Sequence, residues 1–264
     1  MAVTKETRLF FGKMALAIAN PLVRRAMADH FRHRGADEIF HLDNWEGLHE
    51  TLKHESLAVL VADDTLSERA TAPLVRDVRN GALHEHPFPL VIMLAHHQKE
   101  EHLRALIDCG PDAIVLAPVS ITDLFSKIDR FSQGRKPFVI TRDYVGPDRR
   151  GAPREGANEP LIIEPPNPLA PGTDQASFAQ AVEASSEALK AAQVECSMGQ
   201  LAWALRSGDS NDLSLLIPAL EMLIKSTGKA PLKEAAQGMI DAIRENKLAE
   251  VMGWAQKMLA AKRK

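Results

Sequence analysis

The spacing of hydrophobic positions changes character twice along this chain. Up to about residue 131, short apolar runs alternate with amphipathic stretches. A proline- and glycine-dense interval follows, and from residue 175 onward the spacing is helical. In the first region, the apolar run at 14–19 stops at Asn20-Pro21, which suits a helix entry with asparagine as cap and proline in the first turn. The helix predicted over 22–34 stacks Val23, Met27 and Phe31 on one face and closes at Gly35. Strands are predicted at 38–41, 57–62, 90–94 and 113–116, and helices at 45–53, 66–79, 99–109 and 121–131, with Pro73 disturbing the start of the third helix. The runs LAVLVA and LVIML have no polar alternation, as expected of strands covered on both faces. Five such strands alternating with five helices predict an α/β fold built on a doubly wound, five-stranded parallel sheet, followed by a small all-α domain.

The interval from Gly146 to Gly172, with Glu164-Pro-Pro-Asn-Pro168 at its centre, can build neither a helix nor a central strand and reads as a linker. Domains are therefore expected at 1–135 and 174–264, joined by an extension and linker at 136–173. The last region is predicted to hold helices over 175–194, 199–206, 213–225 (interrupted at Pro218), 231–244 and 247–261. Apolar faces such as Leu216, Leu220, Leu223 and Ile224 on one, or Leu232, Ala236, Met239 and Ile240 on another, predict a bundle of four or five helices that also suits pairing between subunits.

Composition narrows the function. With 45% hydrophobic and 25% charged residues and a formal net charge of −3, the chain has no global attraction for nucleic acid or anionic membrane. No run reaches the roughly 18 apolar residues that span a bilayer, and the N-terminus lacks the apolar core of a signal peptide, so a cytoplasmic protein is expected. Cys109 and Cys196 are the only cysteines, too few for a disulfide framework and without zinc-site spacing. All ten histidines lie between His30 and His102, which excludes a histidine phosphotransfer role for the helical domain. His84 with His86, His96 with His97, and His30 with His33 match no ligand pattern and are expected to be solvent-exposed; no metal and no cofactor are implied. The only basic cluster, Lys257 with Lys262-Arg-Lys264, falls at the end of the last helix and does not suggest a DNA-reading element. No nucleophile elbow, P-loop or GxGxxG is present, and the chain reads as a non-enzyme.

The order of elements, Asp63 at the end of the third strand, the fourth strand VIMLA and the block Cys109-Gly-Pro-Asp-Ala-Ile-Val-Leu-Ala-Pro118 together resemble the receiver domain of two-component response regulators over about Gly12 to Phe131. The resemblance implies a phospho-accepting aspartate at Asp63, an acidic pair after the first strand, a hydroxyl after the fourth and a lysine before Pro118, the bond before that proline being commonly cis. Here those positions hold Ile18 and Ala19, Ala95, and Ala117. Apolar side chains bind neither Mg²⁺ nor phosphoryl oxygens, so the resemblance is to a degenerate pseudo-receiver. Asp63 and its neighbour Asp64 are then expected as solvated residues of the loop after the strand.

Downstream, PFVITRDYVGPDRR (137–150) resembles a conserved extension of receiver-like proteins in proteobacteria. In one reading Phe138, Val139 and Tyr144 pack on the receiver and Gly146-Pro147 turns the chain away. In another, Tyr144, Asp148, Arg149, Arg150 and Arg154 meet a partner or an anion, the RxxxR spacing of Arg150 and Arg154 being similar to arginine motifs that bind cyclic di-GMP. The expected function is a phosphorylation-independent signalling adaptor that docks a kinase or another regulator, with the helical domain as output or dimer interface. The alternatives are a phosphorylatable regulator with Asp63 as acceptor and a cyclic-dinucleotide sensor.

Overall fold

The computed structural model describes residues 10–141, 143–149, 161–207, 216–245 and 247–263. A five-stranded sheet contains β1 (Lys13–Ala17), β2 (Glu38–Leu42), β3 (Val59–Asp63), β6 (Leu90–Ala95) and β7 (Ala113–Leu116) in the order β2-β1-β3-β6-β7. Every pairing is parallel, with Ala15 opposite both Phe40 and Leu60, and Val61 opposite Ile92. Counted within the sheet the order is 2-1-3-4-5, the flavodoxin-like winding, which reverses direction between β1 and β3 and so leaves a crevice at their carboxyl ends.

Alternate residues of each strand feed opposite faces. Met14, Leu16, Val59, Val61, Leu90 and Ile92 meet Met27 and Phe31 of α1 (Pro21–His33) and Leu124 and Ile128 of α5 (Ile121–Gln133). Ala15, Ala17, Leu60, Ala62, Val91 and Met93 meet α2 (Trp45–His54) through Leu48 and Leu52, α3 (Ala72–Arg79) through Leu74, Val75 and Val78, and α4 (Glu100–Asp108) through Leu106. Each fully buried large aliphatic side chain stabilises the fold by about 1.5–3 kcal/mol.

Three expectations are corrected. The helix predicted over 66–79 begins only at Ala72. Residues 65–70 instead form a two-stranded hairpin, β4 (Thr65–Leu66) against β5 (Arg69–Ala70). Its two-residue turn places Ser67 at φ 48° and Glu68 at φ 63°, a conformation that costs non-glycine residues energy. Tertiary contacts offset that cost: Trp45 Nε1 donates to the Ala70 carbonyl at 3.2 Å, and Arg69 lies 3.4 Å over the indole while bonding Glu46 at 2.8 Å.

Nor does the described part of the expected linker hang free. β8 (Phe138–Ile140) lies between β10 (Leu161–Ile163) and β9 (Val145–Pro147), and Phe138, Val139, Ile140 and Val145 are buried. Leu169 is buried in the cluster shared with Phe31 and Ile128, and Asn167 Nδ2 donates to the Phe131 carbonyl at 2.7 Å. The carbonyls left at the amino edge of the sheet explain why. Arg79 donates to Gly110, Pro87 and Pro89 at 2.8, 2.9 and 2.8 Å, Arg135 donates to Phe88 at 2.9 Å and also to Pro166, and both arginines grip Asp112. β9 crosses Gly110 so closely that a Cβ there would stand 2.4 Å from the Val145 carbonyl oxygen.

The chain forms two compact units, Met1–Val139 with Tyr144–Ser186, and Ile140–Asp143 with Glu187–Lys264. Helix α6 (Gln175–Ser207) is continuous through Gly199, where a break was expected. In the second unit, α7 (Ile217–Ser226), α8 (Ala230–Arg244) and α9 (Leu248–Arg263) bury Leu220, Leu223, Leu232, Ala236, Met239, Ile240, Val251 and Met258. Pro218 sits in the first turn of α7, where its missing N–H has no intrahelical partner to lose.

Candidate functional site

At the carboxyl edge of the sheet, β1 and β3 deliver Ile18, Ala19, Asp63 and Asp64. Ile18 is buried, with its N–H on the Leu42 carbonyl at 3.0 Å. Ala19 donates its N–H to Asp63 Oδ2 at 2.8 Å. The expectation of two solvated aspartates is wrong: Asp63 ends β3, and the two residues are only 3% and 1% exposed. Asp63 tolerates burial because the backbone and a histidine satisfy both of its oxygens, whereas Asp64 is met on Oδ2 only. His96 Nε2 meets Asp63 Oδ1 at 2.9 Å, and His102 Nε2 meets Asp64 Oδ2 at 2.7 Å. The His96 N–H donates to the same Asp64 Oδ2 at 2.8 Å. Thr71 closes the floor, its hydroxyl on the Asp63 carbonyl at 2.6 Å and its N–H on the Asp64 carbonyl at 3.0 Å. Asp64 Oδ1 has no hydrogen-bond partner among the described residues.

Ala95 ends β6 and is buried; its carbonyl accepts the Ala117 N–H at 2.8 Å. The Ala117-Pro118 bond is cis. Methyl groups therefore stand at both positions where a receiver would hold a phosphoryl group. The Mg²⁺ that such chemistry requires does not fit either. An octahedral cation needs several oxygen ligands, Ile18 and Ala19 supply none from their side chains, both Asp63 oxygens are engaged, and Asp64 Oδ1 alone is too few.

His96, His102 and Thr71 belong to the site, and the sequence reading missed them. Position was the available signal: His96 is the first residue after β6, on the edge where Asp63 also emerges. His96 and His97 remain exposed as expected, whereas His86 is 4% exposed, against expectation. Cys109 is buried as well, which pushes its thiol up to about 12 and removes it as a nucleophile.

The extension lies at the opposite, amino edge. Tyr144 donates to the Pro147 carbonyl at 2.9 Å, and burial raises its pKa. The Asp148 N–H donates to the Pro137 carbonyl at 2.8 Å, and Arg149 donates to the Pro111 carbonyl at 2.6 Å. Arg150 and Arg154 lie outside the described residues.

No protein-family model matches the sequence, and no curated protein is significantly similar to it. Among solved structures, a LuxR-family DNA-binding response regulator from Staphylococcus aureus is 19% identical over 45% of this chain and 96% of its own, with a TM-score of 0.39. The receiver domain of Francisella response regulator 1452 is 16% identical over 45% and 93%, also at 0.39. The Vibrio cholerae chemotaxis response regulator CheY4 is 16% identical over 46% and 98%, again at 0.39. The fold assignment rests on the strand order itself: the first unit is a receiver-like, flavodoxin-like doubly wound domain, followed by helices.

Proposed function

We propose that this chain is a non-enzymatic, phosphorylation-independent adaptor of two-component type. Its receiver-like unit recruits a signalling protein, a kinase or another regulator, and its helical unit serves as output or as a dimer interface. The observation that carries the reading is the closed carboxylate of Asp63, with one oxygen on the Ala19 N–H and the other on His96. An in-line attack on phosphorus needs a free oxygen, a bridging cation and groups that neutralise the phosphoryl charge. Here the oxygens are occupied, and Ile18, Ala19, Ala95 and Ala117 supply neither the cation site nor the neutralising groups.

The test is incubation of the full chain with Mg²⁺ and acetyl phosphate, followed by intact-mass spectrometry. The expected result is an unchanged mass. Stoichiometric gain of one phosphoryl group, lost in Asp63→Asn, would overturn the proposal and establish a working response regulator.

A further inference from the structure

The segment leading into β6 holds a buried titratable group that the carboxyl-edge site does not use. The His86 ring meets Phe178 of α6 edge-on, with centroids 5.6 Å apart and planes at 81°. Phe178 is itself buried and packs on Phe10 at 6.1 Å. Two turns further along α6, Ser186 Oγ donates to the Glu85 carbonyl at 3.2 Å. The His86 N–H is tied to His84 Nδ1 at 3.0 Å, but both ring nitrogens are buried and neither makes a well-formed hydrogen bond among the described residues.

Such a ring is tolerable only when neutral. Neutral imidazole buries one donor and one acceptor, whereas imidazolium would bury two donors and a full charge, with the Leu57 backbone as hydrogen-bonding support for one donor. The surroundings reinforce this. His84, Arg135 and Arg79 all disfavour added positive charge, and α6 meets the ring with the apolar Phe178. Burial is the largest effect, outweighing the opposing backbone of Leu57, and together these hold the His86 pKa down to about 3.

We propose that His86 is an acid-sensitive latch: its neutral ring fastens residues 175–186 of α6 to the segment entering β6, and protonation lets them detach and unwind. The sign follows from linkage. The fastened form takes up no proton until about pH 3, while a released histidine titrates near its free value of roughly 6.5. Release is therefore favoured as pH falls below about 6.5, and its equilibrium constant should rise about 25-fold between pH 7 and pH 5.

Hydrogen-exchange mass spectrometry on the full chain tests this, reading amides 179–186 after correction for the intrinsic rate. The expected result is that about 25-fold rise in wild type and a flat profile in His86→Leu, with His86→Gln as the second neutral variant should the first fail to fold. A flat wild-type profile, or an equal rise in a folded variant, overturns the latch. So does an equal rise at β3 amides, which would mark general acid unfolding.

Discussion

Asp112→Asn tests the clasp that fixes the extension to the amino edge of the sheet. Asp112 is 2% exposed at its side chain and lies between Arg79 and Arg135, each 1% exposed. It accepts Arg79 at 2.9 Å, Arg135 through contacts of 2.8 to 3.0 Å, and the Val91 N–H at 2.8 Å. Asparagine keeps the shape but removes the only negative charge in the clasp and turns an amide donor toward guanidinium donors. Breaking a buried pair from one side costs about 3–5 kcal/mol, because the remaining charge is uncompensated. That is a large part of the roughly 5–15 kcal/mol that holds a domain together. Urea denaturation followed by hydrogen exchange of β3 and β6 peptides isolates the first unit. With an m-value of about 2 kcal/mol/M, the midpoint should fall by roughly 2 M. Glu100→Gln, which breaks an Arg104 pair exposed at 71% and 78%, should change stability by no more than about 0.5 kcal/mol. Equal, small effects from both substitutions would refute the view that the clasp anchors the extension.

Three further outcomes are expected. Gly110→Ala places a Cβ 2.4 Å from the Val145 carbonyl oxygen at φ +81°, and the same urea assay should show a loss of about 2 kcal/mol or more. Gly238→Ala drives a methyl to within 2.4 Å of the Trp254 indole. Exchange at α8 and α9 amides should report about 1–3 kcal/mol of lost stability, with β3 and β6 unchanged. The double change Ser67→Asn with Glu68→Gly installs the preferred residues of a two-residue turn at φ 48° and 63° and should raise the stability of the first unit by about 1 kcal/mol.

The sheet and its alternation with helices were legible because continuous apolar runs such as 57–62 and 90–94 admit few other placements. The 65–70 hairpin was not, since Ser67 and Glu68 carry no turn signal and the hairpin is held through Arg69 and Ala70 by Trp45, which is distant in sequence. The linker was misread for a related reason. Local chemistry forbids regular structure around Pro165 and Pro166, but the Pro166 carbonyl accepts from the distant Arg135, and Asn167 donates to the distant Phe131 carbonyl. At the candidate site, the missing acids, hydroxyl and lysine could be read position by position. The pairing of Asp63 with His96 and of Asp64 with His102 depends on how β3, β6 and α4 are juxtaposed, and that is known only from the fold.

The measurement that bears most directly on the closed Asp63 is hydrogen exchange of the full chain with Mg²⁺ and beryllofluoride, a mimic of the phosphoryl group. If the carboxylate is sealed by Ala19 and His96 and no cation site exists, exchange across β3, the 65–70 hairpin and α4 should be the same with and without the mimic. Protection of these segments that appears only when Mg²⁺ and beryllofluoride are both present, and disappears in Asp63→Asn, would contradict the account.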